Sequence, residues 1–381
     1  MLTNQKHLFS LSEECTYLNC ATLSPQLKSV EQVGIEHLTR KSQPQHIESG
    51  HFFRDRIVLK ERFANLVDAE DPHSIAIIPS VSYGIATVIK NISFEKADEI
   101  VLLEEQFPSN FYAWKALEKS HGVKLRIIAA PPIGNGRGKL WNEQLHNAIN
   151  PKTRVVAIPH VHWADGTLFD LKAIRARTEA VGVYMIIDGT QSVGALPFSV
   201  KDFRPDALIC AGYKWLMGAY GLGIAYFSER FYNGSPLENN WINHEGSEDF
   251  TTLVHYNESF KPKASRFDMG ESSNFIHVPM LSEGIRQILE WQPKAIQEYC
   301  ESITAPYLDK LISKGYFIEE GSFRGRHMFG VYLQDDTRRD QIKQRLQAAN
   351  IHVSYRGKAI RVSPHVYNLE KDIQQFVDCL D

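Results

Sequence analysis

Short apolar runs alternate along the first two thirds of the chain with longer stretches of mixed apolar and charged spacing. Ile75–Ile78, Glu99–Leu103, Lys124–Ile128, Thr153–Pro159, Val183–Asp188, Ala207–Ala211 and Gly223–Phe227 read as strands. They are short, rich in Val and Ile, and bounded by Gly, Pro or polar residues. Residues 26–41, 51–68, 110–120, 141–149 and 171–181 carry helical spacing, as does the stretch from Pro79-Ser80-Val81-Ser82-Tyr83-Gly84 to about Asn91. Gly134-Asn135-Gly136-Arg137-Gly138 reads as a flexible loop. Strands alternating with helices predict an α/β fold, a mostly parallel sheet sandwiched by helices. Ligands of such sheets bind beyond the carboxyl ends of the strands. Asp188, Lys214, Ser82 and Phe107 all fall at those ends.

Residues 233–263 are polar and irregular and read as a long connection. The pattern then changes. Helices are expected over 279–299 and 300–314, strands over 316–318 and 328–333, a helix over 337–349, a strand over 360–363 and a last helix over 369–380. This predicts an N-terminal arm (1–25), a large domain (26–263) and a smaller C-terminal α+β domain (264–381). A chain of 381 residues is long for one simple core, which agrees with two domains.

Composition narrows the function mainly by exclusion. A net charge of -3 gives no sign of nucleic acid or an acidic membrane surface as partner. The five cysteines, at 15, 20, 210, 300 and 379, show neither CxxC nor zinc-ligand spacing. Scattered and odd in number, they suggest reduced thiols and a cytoplasmic protein. No apolar stretch is long enough to span a bilayer, and no signal peptide is expected at the N-terminus.

Charged groups at the ends of buried strands are rarely buried unless paired or used. Asp188 ends one apolar run and Lys214 follows the next. Together they suit pyridoxal phosphate, which needs an amine to form an imine with its aldehyde and an acid to keep its pyridine nitrogen protonated. A surface Asp and a surface Lys at strand ends would look the same in isolation.

Asp188-Gly-Thr-Gln191-Ser-Val-Gly194 and Gly212-Tyr213-Lys214-Trp215 resemble the class V aminotransferase group of fold-type I pyridoxal-phosphate enzymes. That group includes cysteine desulfurases, selenocysteine lyases, kynureninases and isopenicillin-N epimerase-like proteins. The likeness runs from Tyr17-Leu18-Asn19 to Asp372. It implies that Lys214 carries the cofactor and then moves protons at Cα, and that Asp188 pairs with the pyridinium nitrogen. It implies that Gln191 reaches the phenolic oxygen, that Ser82 with the Val81 backbone binds the phosphate at a helix start, and that Tyr213 reaches the phosphate too. Ser80 or Ser82 as a simple helix cap is the bland alternative. Ala211 stands where desulfurases carry a phosphate-binding serine. Phe107, in Gln106-Phe107-Pro108-Ser109-Asn110, stands where an aromatic stacks on the ring; a loop-anchoring core Phe is the alternative. Trp163 stands where relatives place a cofactor neighbour. Arg361, in Ile360-Arg361-Val362-Ser363, matches the substrate-carboxylate arginine. Arg356 is a secondary candidate, and Asn19 on the arm is a possible substrate contact. The segment 268–275, which relatives lend to the neighbouring subunit's phosphate, keeps Gly270 but has Glu271 in place of a hydroxyl. The resemblance also implies a homodimer.

The reaction is less legible than the cofactor. A desulfurase needs a nucleophilic cysteine on the loop before the substrate arginine, and 350–361 contain none. The expectation is an aminotransferase-type transferase acting on a small amino acid. A lyase of the selenocysteine, desulfurase-like or kynureninase-like kind, an epimerase, or a silent cofactor-binding paralogue remain alternatives. Two readings from other classes use His160, His162 and Asp188 as zinc ligands, or Gly218, Gly221 and Gly223 as a nucleotide loop. Neither has the HExxH, GxGxxG or Walker spacing such sites use.

Overall fold

The computed structural model describes residues 2–333 and 336–380. Among the described residues, twelve strands and eleven α-helices follow in chain order. The strands are β1 (Thr16–Tyr17), β2 (Ile75–Ile78), β3 (Glu99–Leu103), β4 (Lys124–Ile128), β5 (Thr153–Pro159), β6 (Tyr184–Asp188), β7 (Ala207–Ala211), β8 (Gly223–Phe227), β9 (Phe329–Tyr332), β10 (Ile351–His352), β11 (Ser354–Arg356) and β12 (Ala359–Val362). The helices are α1 (Lys28–Arg40), α2 (His51–Leu66), α3 (Val81–Lys90), α4 (Tyr112–His121), α5 (Arg137–Ala148), α6 (Leu171–Ala180), α7 (Val200–Phe203), α8 (His277–Trp291), α9 (Pro293–Ser313), α10 (Arg339–Ala348) and α11 (Glu370–Asp378).

Seven strands form one sheet in the order β2-β8-β7-β6-β5-β3-β4. Its centre is buried on both faces, and the period-2 alternation of the strands divides the core into two layers. Val156, Met185, Ile187 and Leu208 point into one layer, where α2, α5, α6 and α8 contribute Phe63, Leu145, Ile174 and Leu281. Val155, Ile186, Ala207 and Ile209 point into the other, against Ile85 of α3 and Trp114 of α4. This is the α/β sandwich that the alternating pattern predicts. Within the sheet only β8 runs against its neighbours. The link from β7 to β8, residues 212–222, contains no helix. A parallel return needs a crossover of about a dozen residues or more, so this strand turns back.

The C-terminal part carries the three-stranded antiparallel sheet β11-β12-β9. The N-terminal arm joins it: β1 pairs with β10, and Asn19 bridges Ser363. Helix α8 packs on α1 and α2, while α9 packs on α11. The break between the two long helices lies at Gln292, not at 299. Pro293 opens α9 and disfavours a helical residue before it, and Gln292 sits at φ 66°. Phe317 makes a single bridge to Tyr332 rather than a strand. The stretch 134–138 is less open than its glycines suggest. Helix α5 begins at Arg137, whose guanidinium lies 3.0 Å from Asp165 and over the Trp141 ring. A Cβ on Gly138 would lie 2.5 Å from that of Phe323.

A buried ion cluster ties α2 to the segment before α8. Asp268 accepts from Arg56 at 2.5 Å, from Lys60 at 2.7 Å and from the Ile77 backbone at 2.7 Å. Burial and the adjacent Arg56 pull the Lys60 amine down to about 8, against the pull of Asp268. Asp268→Ala would leave two cations buried without their anion, a loss of about 3–5 kcal/mol. Urea unfolding should show the midpoint falling accordingly; an unchanged midpoint would mean that the cluster contributes nothing to stability.

Candidate active site

A cavity of about 260 Å³ opens at the carboxyl ends of the central strands. Asp188 and Lys214 face it, together with Val81, Ser82, Phe107, Trp163, Gln191 and Tyr213. Eight of the ten expected site residues therefore meet in one place. They come from five separate segments, each ending a strand or starting the turn after it. Asn19 and Arg361 do not line this cavity.

Lys214 sits in the β7–β8 turn, and the turn is held from several sides. Gly212 and Leu222 close it through a 2.9 Å backbone bond, and Gly218 donates to Gly212 at 2.8 Å. Trp215, fully buried, donates its indole N–H to Gln191 at 2.9 Å. The Trp215 carbonyl packs on Gly194, where a Cβ would come within 2.3 Å; Gly194 also has φ +103°. Only glycine fits there. These contacts explain why the turn after Asp188 needs Gln191 and Gly194 at that spacing: both brace the lysine loop.

The electrostatics fit a working lysine. Its amine is buried and drawn down to about 8, first by desolvation and then by Arg361. Near neutral pH an appreciable fraction of it is unprotonated, which an ordinary surface lysine lacks. The Nζ lies 5.3 Å from the Phe107 ring centre and 5.7 Å from that of Tyr213. Burial pushes the Asp188 carboxyl up, and the Thr190 hydroxyl and backbone N–H pull it back. The Thr190 N–H donates to Asp188 at 3.0 Å, and its hydroxyl accepts from Ala211 at 3.1 Å. Thr190 thus locks the acid to the neighbouring strand. Nothing in the sequence pattern marked it beyond its place in the turn.

At the mouth of α3, Ser80 caps the helix by accepting from the Tyr83 N–H at 3.2 Å. The capping role therefore belongs to Ser80. Ser82 lies 2.9 Å from it, hydroxyl to hydroxyl, and faces the cavity beside Val81. The first N–H groups of a helix have no intrahelical partner and favour an anion. Gln191 uses its carbonyl on Trp215 and one amide hydrogen on the Ala21 carbonyl at 3.0 Å. Its second amide hydrogen remains for another acceptor. Phe107 and Trp163 meet edge to face at 5.4 Å, and Trp163 donates to the Glu105 carbonyl at 2.6 Å.

Arg361 projects from β12 and is almost wholly buried. It donates to the Trp163 carbonyl and to the Thr22 hydroxyl, both at 2.6 Å. Its Nε is buried without a partner, and no carboxylate lies within ion-pair distance among the described residues. Asn19 acts one step behind. Its carbonyl accepts from the hydroxyls of Thr22 at 2.8 Å and Ser354 at 2.7 Å. Thr22 must then turn its lone pairs toward the arginine. Sequence reading missed Thr22; an isolated threonine on an arm carries no periodic or motif signal.

His160 and His162 diverge. His160 packs between Phe198 and Phe203, and His162 turns to Trp141 and Asp165. No group of three or more metal-ligating side chains occurs among the described residues. The zinc reading loses its ligand set. The glycines at 218, 221 and 223 build the turn that carries Lys214.

The model of the aminotransferase class-V family matches residues 45–376. The chain belongs to this family. Its members are pyridoxal-phosphate-dependent enzymes, and this class V protein is one of them. It is 25% identical to an uncharacterized aminotransferase of Bacillus subtilis, over 84% of this chain and 81% of that one. It is 23% identical to a probable cysteine desulfurase of Borreliella burgdorferi, over 95% and 90% of the two chains. The apo structure of a cysteine desulfurase from Thermococcus onnurineus superposes with a TM-score of 0.82. That match is 18% identical and covers 100% of this chain and 98% of the other, a likeness of fold.

Proposed function

We propose that this class V protein transfers the amino group of a small amino acid, with Lys214 as its catalytic residue and pyridoxal 5'-phosphate as its cofactor. The observation that carries this reading is the shared cavity: a buried amine, a buried acid and the start of a helix open onto one space. The residues fit the cofactor. Among the described residues no arginine or histidine side chain is ion-paired with Asp188, whose charged neighbour is Lys214, so its buried carboxylate suits a ring cation. Phe107 and Trp163 offer apolar surface to a planar ring, and Tyr213, Ser82 and the Val81 backbone offer donors to a phosphate. Gln191 has one free amide hydrogen for the phenolic oxygen.

When bound, pyridoxal phosphate supplies an aldehyde for the substrate amine and a ring that accepts the Cα electron pair. The protein supplies the rest. Asp188 stabilises positive charge at the ring nitrogen. Lys214, once free and lowered toward neutral pH, takes a proton from Cα and returns it elsewhere. Arg361 binds the substrate α-carboxylate through its paired N–H groups. Asn19 orients Thr22 and so positions Arg361.

The thiols support transfer over sulfur release. Cys20, Cys210 and Cys300 are buried, and burial pushes the Cys20 thiol up to about 12. Burial also raises the half-buried Cys15 and Cys379 thiols, and a raised thiol is mostly protonated near pH 7. No helix among the described residues is long and apolar enough to cross a membrane. We further propose a cytoplasmic homodimer with the site near the subunit interface.

The visible spectrum of the purified protein, recorded before and after adding amino acids, tests the reading. A visible band that one amino acid shifts supports it. A protein that stays colourless with added pyridoxal phosphate contradicts it.

A further inference from the structure

Arg356 and Arg361 converge on a single hydroxyl. Arg361 donates to Thr22 Oγ1 at 2.6 Å and Arg356 donates to the same atom at 3.4 Å. The guanidinium of Arg356 also lies 5.4 Å from the Trp163 ring centre, on the wall of the cavity. Each arginine has a buried Nε without a partner. Neither is ion-paired to a carboxylate among the described residues. Like charges this close are costly unless an anion joins them. The cost is visible: desolvation and then Arg356 pull Arg361 well below the usual guanidinium range.

A count of charges shows what is missing. Asp188 is committed to the ring nitrogen, and the helix start with Ser82 and Tyr213 to the phosphate. An ordinary amino acid brings one carboxylate, which Arg361 takes. Arg356 is then left half-buried with no anion. Its partners are the Tyr355 carbonyl at 2.8 Å and the shared Thr22 hydroxyl, both neutral, so a substrate neutral at its side chain would leave the charge beside Arg361 unbalanced.

We propose that Arg356 selects substrates with a second acidic group, so that the accepted amino acid carries an acidic side chain: a carboxylate or a sulfinate. The inference rests on the cofactor and Arg361 assignments above and adds the side-chain class. Arg356 presents planar N–H donors to such an acid, and its charge lies over the Trp163 ring at cation–π distance.

The test uses the cofactor-loaded enzyme. Aspartate with asparagine, glutamate with glutamine, and cysteine sulfinate with alanine are titrated while the visible band is followed, and kcat/KM is measured for each. The wild type should favour the acidic member of at least one pair. In Arg356→Gln the acid-over-neutral ratio should fall by roughly 10- to 150-fold, the worth of a hydrogen bond to a charged group. Arg356→Lys keeps the charge and should restore part of it. An unchanged band and thermal midpoint in the variants, before substrate is added, show that the fold survived. The aspartate, glutamate and sulfinate arms separate a carboxylate preference from a sulfinate one. Equal preference in the wild type overturns the proposal. So does an equal loss for both members of each pair in Arg356→Gln, which would make Arg356 a second clamp on the α-carboxylate. A band that no amino acid moves would overturn the underlying functional reading as well, and is thereby told apart from a failure of selectivity alone.

Discussion

Lys214→Ala is expected to lose turnover by at least about 10²–10⁴-fold, the range of one positioned acid–base group. It should lose more if the covalent link to the cofactor matters in its own right. Borohydride should then fix no cofactor to the protein, whereas the wild type should gain its mass. The reasons are local. Lys214 is buried, its amine is drawn down to about 8, and the second amine near the site that might replace it is absent among the described residues lining the cavity. The loop itself should survive, because Trp215, Gly212 and Gly218 hold it through contacts that do not involve the amine. A variant with wild-type turnover would remove Lys214 from the chemistry and sink the assignment.

Arg361→Ala is expected to lower kcat/KM for amino acids by about 30- to 5,000-fold, the equivalent of a truncated, buried, hydrogen-bonded charge pair. Most of the loss should appear as a raised KM, since the contact exists before and during reaction. Cofactor affinity should change far less, because Arg361 is not among the residues lining the cavity with Asp188, Ser82 and Lys214. Arg361 also has structural work, holding the Trp163 carbonyl and Thr22. Arg361→Lys can be compared for that reason. It keeps a charge but loses the planar fork, and should recover only part of the affinity. If cofactor and substrate binding weakened equally, the arginine would be a structural strut and not a carboxylate clamp.

These two residues differ in how readily the sequence discloses them. Asp188 ends a buried strand and Lys214 follows one closely, where charge is rare, so the hydrophobic pattern itself points at them. Arg361 lies in β12, a four-residue strand whose sequence alternation looks like that of any half-buried strand, although all four residues are buried. Its meaning came from resemblance. Asn19 was marked only by resemblance and Thr22 by nothing, since their importance lies in hydrogen bonds to β11 and β12, more than three hundred residues away in the chain.

Local physics was enough for most of the large sheet. The runs at 75–78, 99–103, 124–128, 153–159, 207–211 and 223–227 became strands with those bounds; in the central ones both faces are covered and apolar residues must fill the run, whereas the edge strand β4 is largely exposed. Pro293 ended a helix by its own sterics, although the spacing alone misplaced the break. The two-residue strands β1 and β10 were invisible to periodicity, being too short to show one; they exist only because the arm and the C-terminal part pair. The reversed β8 depended on connection length within the folded sheet. The sequence by itself therefore determined the strands of the large sheet, the α/β class and the chemical character of the pair at 188 and 214. Only the tertiary structure decided which distant groups meet them. Hydrogen bonds, stacked rings and the convergence of Arg356 and Arg361 on Thr22 are relations in space, and a pattern of neighbours along the chain does not encode those distances.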